Sequence, residues 1–242
     1  MHFLNNVKQT LIEMLYPKKC ISCGEIISED EFLCDICYKH FVQIDHTKQC
    51  FSCGMEKQHC RCYSDIYRFK CITSAFYTND YVKRALYSYK ISRKMHYGEY
   101  FSKQIALAVK NSFYNIHFDY ICSVPTSINR KMERGFDHCA LLCNGVSEIL
   151  GIKMLDGVLM CRSFIKTQHT SDFAKRFENV QGKYYFNKRL NGGRILLIDD
   201  IITTGATLDE CARQLLLAGA DEVYCATALY TLPKNIEIKK DL

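Results

Sequence analysis

No stretch of the 242 residues is apolar enough to span a lipid bilayer. Residues 1–17 place several apolar side chains on one helical face, but Lys8 and Glu13 interrupt that face, so neither a signal peptide nor a membrane anchor fits. We expect a docking helix there and no stable membrane insertion. Because no export signal is present, the 15 cysteines are not expected to form disulfides, and we interpret them as reduced metal ligands or buried thiols.

Eight of the cysteines form four closely spaced pairs within 43 residues, in a segment with too few apolar residues to fold by burial alone. Each pair can supply two thiolates to one tetrahedral ion, so the pattern predicts one or two structural zinc ions. The simplest arrangement joins successive pairs, and a cross-braced arrangement stays open because it uses the same residues. The fourth pair has a shorter spacing, so His59 is an alternative ligand there. The predicted ligands are Cys20, Cys23, Cys34, Cys37, Cys50, Cys53, Cys60 and Cys62.

An apolar strand, two acids, a Thr/Gly turn and a helix follow one another between residues 194 and 229. The apolar run at 195–198 is typical of a strand buried on both faces of a parallel sheet. A turn before a helix offers several N–H donors to a 5'-phosphate, and the paired acids suit the vicinal hydroxyls of a ribose. A strand-to-helix turn with capping acids is the alternative, although capping needs only one such residue. The candidate ribose-phosphate residues are Asp199, Asp200, Thr203, Thr204, Gly205, Ala206 and Thr207.

The whole net charge of +6 lies in residues 71–135, which carry ten Lys/Arg against four Asp/Glu, because the segments before and after them are balanced. Aromatic side chains are interleaved with these cations, a mixture able to stack bases and to neutralise a nucleic-acid backbone. The alternative is a helix with a solvated basic face and a buried aromatic face. The candidates for nucleic-acid contact are Lys90, Arg93 and Lys94, beside Lys83, Arg84 and several tyrosines that include Tyr87.

A second basic segment, residues 125–135, follows a predicted strand and precedes an amphipathic helix, again at the edge of the sheet where ligands bind. We predict a loop that presents Arg130, Lys131 and Arg134. A solvated basic turn without a ligand is the alternative.

Residues 195–207 resemble the phosphoribosyl pyrophosphate (PRPP) signature of type I phosphoribosyltransferases at every position. The resemblance implies that the two acids bind the ribose 2'- and 3'-hydroxyls and that the Thr/Gly turn binds the 5'-phosphate. In that family the loop corresponding to residues 125–135 binds pyrophosphate, so its three cations are the expected pyrophosphate residues. The implied ligand is PRPP with Mg²⁺. The implied fold class is α/β, a parallel sheet flanked by helices over residues 71–242, with an N-terminal double zinc-ribbon module in residues 1–70.

Several motifs at separate positions are similar to those of one family, the ComF family of competence proteins, and this resemblance covers nearly the whole chain. After the RGF motif that family often has Asn-Gln, whereas this chain has Asp137 and His138. Specificity at that point is in doubt if these side chains touch a ligand, whereas Asp137 serves equally well as a helix cap. The matching motifs are Lys90 to Lys94, Val124-Pro125 through Arg130, Arg134-Gly135-Phe136, and Gln168, Arg176, Asn179, Gly182 and Phe186.

The ComF resemblance implies a cytoplasmic bacterial protein of natural competence, acting on incoming single-stranded DNA, with the inner face of the membrane as a further location and a helicase-like ATPase as partner. Two alternatives stay open: an active phosphoribosyltransferase on an unidentified nucleobase, and a PRPP-sensing zinc-bearing regulator. Only 13 residues follow the last predicted strand, so we expect no C-terminal hood over an acceptor, and the zinc module is the candidate for that role. Residues 162–181 lie where the fold of that family has its mobile active-site loop, and a surface linker is the alternative.

Overall fold

The computed structural model describes residues 17–60, 62, 67–92, 95–162 and 180–232. The predicted docking helix, Arg93, Lys94 and most of the candidate active-site loop lie outside the described residues, as do Gln168, Arg176 and Asn179. Within the described ranges, no helix combines the length and the apolar character needed to cross a membrane.

A parallel sheet forms the centre of the fold, and a separate antiparallel pair of strands lies beside it. The strands are β1 (Cys71–Tyr77), β2 (Tyr120–Ser123), β3 (Lys153–Met154), β4 (Leu159–Cys161), β5 (Tyr184–Phe186), β6 (Arg194–Ile202) and β7 (Glu222–Tyr230). The central sheet has the order β1-β7-β6-β2-β3 with every neighbouring pair parallel, and β4 pairs with β5. The predicted α/β class with a parallel sheet is confirmed.

Helices cover both faces of this sheet, because its central strands are apolar on both sides. Side chains of Leu196 and Ile198 point into one core, and those of Ile195 and Leu197 point into the other. In the described ranges the helices are α1 (Asp35–Tyr38), α2 (Asp80–Ser92), α3 (Met95–Ser112), α4 (Ile128–Arg134), α5 (His138–Leu150) and α6 (Ala206–Ala218). The first core lies beneath α2, α3 and α5, and the second beneath α6.

The cysteine-rich segment before β1 packs directly against the sheet. The Ile44 amide donates to the Ala75 carbonyl (3.0 Å), and the Ile72 amide donates to the Phe51 carbonyl (2.7 Å). The segment is therefore hydrogen-bonded to β1 at two points. Gly54, with φ of +77°, lies so close to Tyr230 that a Cβ atom there would meet the ring at 2.9 Å. The segment therefore reaches the carboxyl end of β7, where a parallel sheet binds ligands.

Candidate functional site

Two groups of four thiols lie in the N-terminal segment. Within each group all four Sγ atoms lie within 4.8 Å of one another, and the groups follow the chain in sequence rather than in a cross-braced order. His59 is not among the grouped ligands, and its Nε2 lies 3.9 Å from Glu56 Oε2 instead. The first group is Cys20, Cys23, Cys34 and Cys37, and the second is Cys50, Cys53, Cys60 and Cys62.

These distances fit tetrahedral zinc. A zinc ion with four thiolates at about 2.3 Å separates the sulfur atoms by about 3.8 Å. The Sγ–Sγ distances of 3.7 Å for Cys23 and Cys34 and of 3.6 Å for Cys50 and Cys62 are close to this value, whereas Cys60 and Cys62 lie closer together, at 3.1 Å. Four soft donors with no carboxylate or imidazole among them are the donor set of structural zinc sites. The eight cysteines are therefore the residues that would hold zinc in this chain.

The acid pair lies near the carboxyl end of β6, as the sequence predicts. Asp199 and Asp200 are both buried, and β7 pairs with this part of β6. Asp199 Oδ1 accepts a hydrogen bond from the Asp200 amide (2.8 Å) and lies 3.4 Å from the Cys139 thiol that donates to it. Each acid points to a different environment, since neighbouring residues of a strand face opposite sides.

Asp200 is held by two nitrogen donors from distant parts of the chain. Lys90 Nζ lies 2.5 Å from Asp200 Oδ2, and His138 Nε2 lies 2.8 Å from the same oxygen. Tyr89 joins the two helices that carry these donors, because its hydroxyl donates to the His138 carbonyl (2.8 Å). Arg134 continues the network, with its guanidinium 2.8 Å from His138 Nδ1.

The two carboxyl groups of this pair have opposite pKa shifts. Burial raises the pKa of Asp199, the negative charge of Asp200 raises it further, and the result is about 7. Burial acts in the same direction on Asp200, but the charge of Lys90 and the hydrogen bond from His138 outweigh it and hold the pKa of Asp200 well below its usual range. One carboxylate is therefore charged and paired, while its neighbour exchanges a proton near neutral pH.

His138, Cys139 and Asp200 bring three buried ligand atoms within 4.8 Å of one another. A cation would meet Lys90 and Arg134 there, because both already contact members of this trio. Like charges at such distances repel strongly in a buried site. We therefore assign the trio to orienting Asp200 and not to binding a metal.

The basic segment that follows β2 is a helix and not a loop, which corrects the prediction for residues 125–135. Helix α4 occupies Ile128–Arg134 and ends at Gly135, whose φ of +76° is the left-handed conformation that stops a helix. Lys131 and Arg134 lie on one helical face because they are three residues apart. Lys131 Nζ pairs with Asp137 Oδ2 at 2.7 Å, Arg134 contacts His138, and Arg130 is exposed.

Asp137 and His138, where the chain departs from the ComF pattern, have different tasks. Asp137 caps α5 by accepting from the Ala140 amide (3.2 Å), and it also accepts from the Thr126 hydroxyl (2.9 Å). His138 instead contacts Asp200, so this position does reach the acid pair.

The Thr/Gly turn connects β6 to the thirteen-residue helix α6. Gly205 is the N-cap residue of that helix, with φ of +77°, and it has no side chain to occupy the first amide groups of the helix. The partial positive charge of a helix N-terminus is therefore left for a ligand. Tyr67 lies on this turn, with its hydroxyl donating to the Thr204 carbonyl (3.1 Å). Thr203 is exposed, and Thr207 is half-buried at the start of the helix.

A groove of about 460 Å³ adjoins Asp200 on the side of α2. Lys83, Arg84 and Lys90 line it, together with Tyr87 and with Ser22 from the first cysteine group's segment. Tyr87 is 66% exposed, whereas Tyr89, Tyr97 and Tyr100 are buried, so most of the aromatic residues in this region belong to the core. Lys90, predicted as a nucleic-acid contact, forms the boundary between this groove and the acid pair.

Sequence reasoning missed several residues of the site. It did not find that His138 and Lys90 bind Asp200, or that Tyr67 covers the Thr/Gly turn, because these contacts join positions 62, 110 and 137 residues apart. The departure at Asp137 and His138 was the one signal available, since it lies beside a predicted ligand segment. Tyr67 had no local pattern that could have identified it.

Residues 11–67 match the double zinc ribbon domain. The chain is 31% identical to the DNA utilization protein YhgH of Escherichia coli K12 over 109 residues, which is 44% of this chain and 48% of that protein. The chain therefore spans about half the length of the first curated relatives it matches. It is 24% identical to Competence protein F of Haemophilus influenzae over 217 residues, covering 85% of this chain and 93% of that protein.

Two solved structures share part of the architecture. The glutamine PRPP amidotransferase of B. subtilis matches with a TM-score of 0.40 and 20% identity, over 59% of this chain and 30% of that chain. The adenine phosphoribosyltransferase of Saccharomyces cerevisiae matches with a TM-score of 0.38 and 14% identity, over 58% and 72%. At these scores the likeness concerns a sheet with flanking helices, and nothing about activity follows from it.

Proposed function

We propose that this chain is a ComF-like protein with a double zinc ribbon, and that it binds PRPP at the carboxyl edge of its parallel sheet. One observation carries the proposal: two buried carboxylates, Asp199 and Asp200, lie in the same strand that leads into a turn and a helix N-terminus without a capping side chain. Carboxylates accept hydrogen bonds from ribose hydroxyls, and the turn offers amide donors to a 5'-phosphate. A ribose 5-phosphate satisfies both sets of groups at once.

The pyrophosphate of PRPP would lie towards α4. Lys131 and Arg134 supply positive charge there, and Arg134 also approaches the acid pair through His138. Arginine and lysine beside a pyrophosphate neutralise its charge and donate several hydrogen bonds. Mg²⁺ would arrive with the pyrophosphate, because phosphate oxygens and carboxylates are the ligands that Mg²⁺ prefers.

The test of this site is calorimetric titration of Mg-PRPP into the full chain. Asp199→Asn combined with Asp200→Asn should abolish binding while zinc content and circular dichroism stay unchanged, because the amides no longer offer carboxylates to the diol. Asp156→Asn is the matched control, since Asp156 is an exposed acid outside the site. Retained PRPP binding in the double variant would contradict the ribose assignment.

We further propose that the protein acts in natural competence as a cytoplasmic single-stranded DNA-binding factor, beside a helicase-like ATPase at the inner face of the membrane. The relatives named Competence protein F and DNA utilization protein support this role. The groove beside α2 supports it physically, because Lys83 and Arg84 can neutralise phosphates while the exposed ring of Tyr87 can stack on a base.

Fluorescence anisotropy with a single-stranded oligonucleotide, across a salt series, tests the groove. Lys83→Gln combined with Arg84→Gln should reduce the slope of log affinity against log salt by about 1.4, or about 0.7 for each lost phosphate contact. Lys103→Gln combined with Lys110→Gln removes the same charge from α3, outside the groove, and should leave the slope unchanged. Equal slopes in both double variants would contradict a DNA site at α2.

Lys90 gives the two proposed sites a physical connection, because it lines the groove and also pairs with Asp200. A ribose bound at Asp200 competes with Lys90 for that carboxylate, so Mg-PRPP should change the affinity for single-stranded DNA. Identical DNA affinity with and without saturating PRPP would show that the sites are independent. Release of pyrophosphate on addition of a nucleobase would instead identify an active phosphoribosyltransferase.

A further inference from the structure

Tyr67 lies against the turn that precedes α6 although it is far away in the sequence. Its hydroxyl donates to the Thr204 carbonyl at 3.1 Å, across 137 residues. Its ring lies so close to Gly205 that a Cβ atom there would approach the Tyr67 Cε1 atom to 2.9 Å. Stacking on Phe69, with ring centroids 4.6 Å apart and planes within 12°, holds the ring in this orientation, because Phe69 is itself buried.

Arg68 holds the next element, the first turn of α6. Its backbone amide donates to Asp209 Oδ1 at 2.6 Å, and its guanidinium forms an ion pair with the same carboxylate. Asp209 is only 2% exposed, so it is a fixed anchor rather than a surface acid. The Asp209 amide in turn donates to the Gly205 carbonyl (2.8 Å). Two consecutive residues therefore bind the two ends of residues 204–209: Tyr67 contacts Thr204, and Arg68 contacts Asp209.

These two residues follow the second cysteine group closely, since Tyr67 comes five positions after Cys62. The same group is attached to the sheet through the Phe51 carbonyl and through the contact of Gly54 with Tyr230. A zinc ion in the second group would hold Cys62, which is five residues from Tyr67 along the chain. The first group lies elsewhere, because two of its cysteines belong to the core beneath α2 and α3.

We propose that Tyr67 and Arg68 are positioning residues for the phosphate-binding turn, and that they make its affinity for a 5'-phosphate depend on the second zinc site. The proposal rests on the PRPP site proposed above. Amide donors that converge on a phosphate must keep their positions within about 0.5 Å to bind it well. Lys131 and Arg134 are held by Asp137 and His138 instead, so the pyrophosphate side is anchored independently of Tyr67.

Ribose 5-phosphate and inorganic pyrophosphate, titrated separately into the zinc-loaded full chain, distinguish positioning from a general loss of structure. Tyr67→Ala and Arg68→Gln should each weaken ribose 5-phosphate binding at least ten-fold and change pyrophosphate binding less than two-fold. Tyr67→Phe keeps the ring on the turn and should recover most of the affinity. The matched controls are Tyr114→Ala, which removes an exposed ring, and Arg194→Gln, which removes an ion pair with Glu222 at the amino end of β6. Equal losses for both ligands, or none, would overturn the proposal.

A second experiment tests the dependence on zinc by comparing Cys62→Ser with Cys23→Ser, each of which removes one ligand from a different cysteine group. Only Cys62→Ser should weaken ribose 5-phosphate binding and speed amide hydrogen exchange in residues 203–209. Amide hydrogen exchange is measured without a ligand, so it tests the positioning role of Tyr67 and Arg68 separately from the proposed PRPP site. If the wild-type chain does not bind ribose 5-phosphate, the PRPP site fails, yet faster exchange in Tyr67→Ala and Cys62→Ser alone still supports the positioning role. Unchanged exchange in both variants overturns it.

Discussion

Replacement of Lys90 by methionine removes the cation that neutralises a buried carboxylate. Lys90 Nζ is 2.5 Å from Asp200 Oδ2, and the lysine side chain is 19% exposed. Methionine keeps most of the apolar stem and loses the charge. In the variant, Asp200 keeps the hydrogen bond from His138 but must remain ionised at neutral pH without its strongest electrostatic partner.

The expected loss of unfolding free energy is about 3 kcal/mol at pH 7.5. Breaking a buried ion pair by removing one partner costs roughly 3–5 kcal/mol, and partial exposure of Lys90 places this pair at the lower end. For a chain of this size, a loss of about 3 kcal/mol lowers the melting temperature by roughly 6–12 °C. The pKa of Asp200 is lowered in the wild-type fold, so its stabilising contribution is complete at neutral pH. The cost should shrink towards pH 5, because Asp200 in the variant regains a proton.

Urea denaturation at fixed, saturating zinc measures the difference. Lys103→Met is the matched control, because Lys103 pairs with Glu99 at 2.7 Å while both side chains are 53% exposed. That exposed pair should contribute only about 0.3–0.5 kcal/mol. Equal losses in the two variants would refute the argument that burial of Asp200, rather than the short distance, makes the Lys90 pair important. A loss of single-stranded DNA binding without a loss of stability would indicate that Lys90 serves the groove instead.

The remaining predictions concern metal content, the turn and pH. Metal analysis should find two zinc ions per chain and one in Cys60→Ser, since the two groups share no ligand, and a single ion in the wild type would contradict this. Gly205→Ala should weaken ribose 5-phosphate binding at least ten-fold, because φ is +77° and Tyr67 leaves no room for a Cβ. Gly151→Ala, with φ of +68° and no described atom within 4 Å of the added Cβ, should lose about 1 kcal/mol of stability and bind normally; equal binding losses would contradict the role of Tyr67. Burial raises the pKa of Asp199 to about 7, so the native state binds more protons than the unfolded chain and stability should fall from pH 5 to 7.5. Urea titrations of Asp199→Asn should lack that slope, and a retained slope would assign it elsewhere.

The elements with strong local patterns were predictable from the sequence. The apolar run at 195–198 has no polar face, which only a strand or helix covered on both sides tolerates, and it is the centre of β6. Helix α2, Asp80–Ser92, also has a local signal, because its apolar side chains repeat at helical spacing. The four cysteine pairs also had a local signal, since two thiolates with one or two residues between them can form half of a tetrahedral site.

Boundaries and partners were less predictable. Residues 128–134 hold only two apolar side chains, Ile128 and Met132, and both are exposed, so no buried stripe predicts the short helix that Gly135 ends in its left-handed conformation. Asp199 and Asp200 lie at the carboxyl end of the strand as expected, but β6 continues two residues past them to Ile202 because the neighbouring β7 pairs with it over the same length. Pairing with a neighbouring strand is a non-local effect that overrides local preference.

By itself, the sequence determined which side chains can carry the chemistry: the thiol pairs, the acid pair, the Thr/Gly turn and the cations of the middle segment. Each is a local pattern whose residues are neighbours along the chain. The tertiary structure decided what those groups contact. It brought Lys90 and His138 to Asp200, set the pKa values of the two acids apart, joined successive cysteine pairs, and placed Tyr67 on Gly205. The physical reason is that burial and charge depend on which distant segments pack together, and no local pattern encodes that packing.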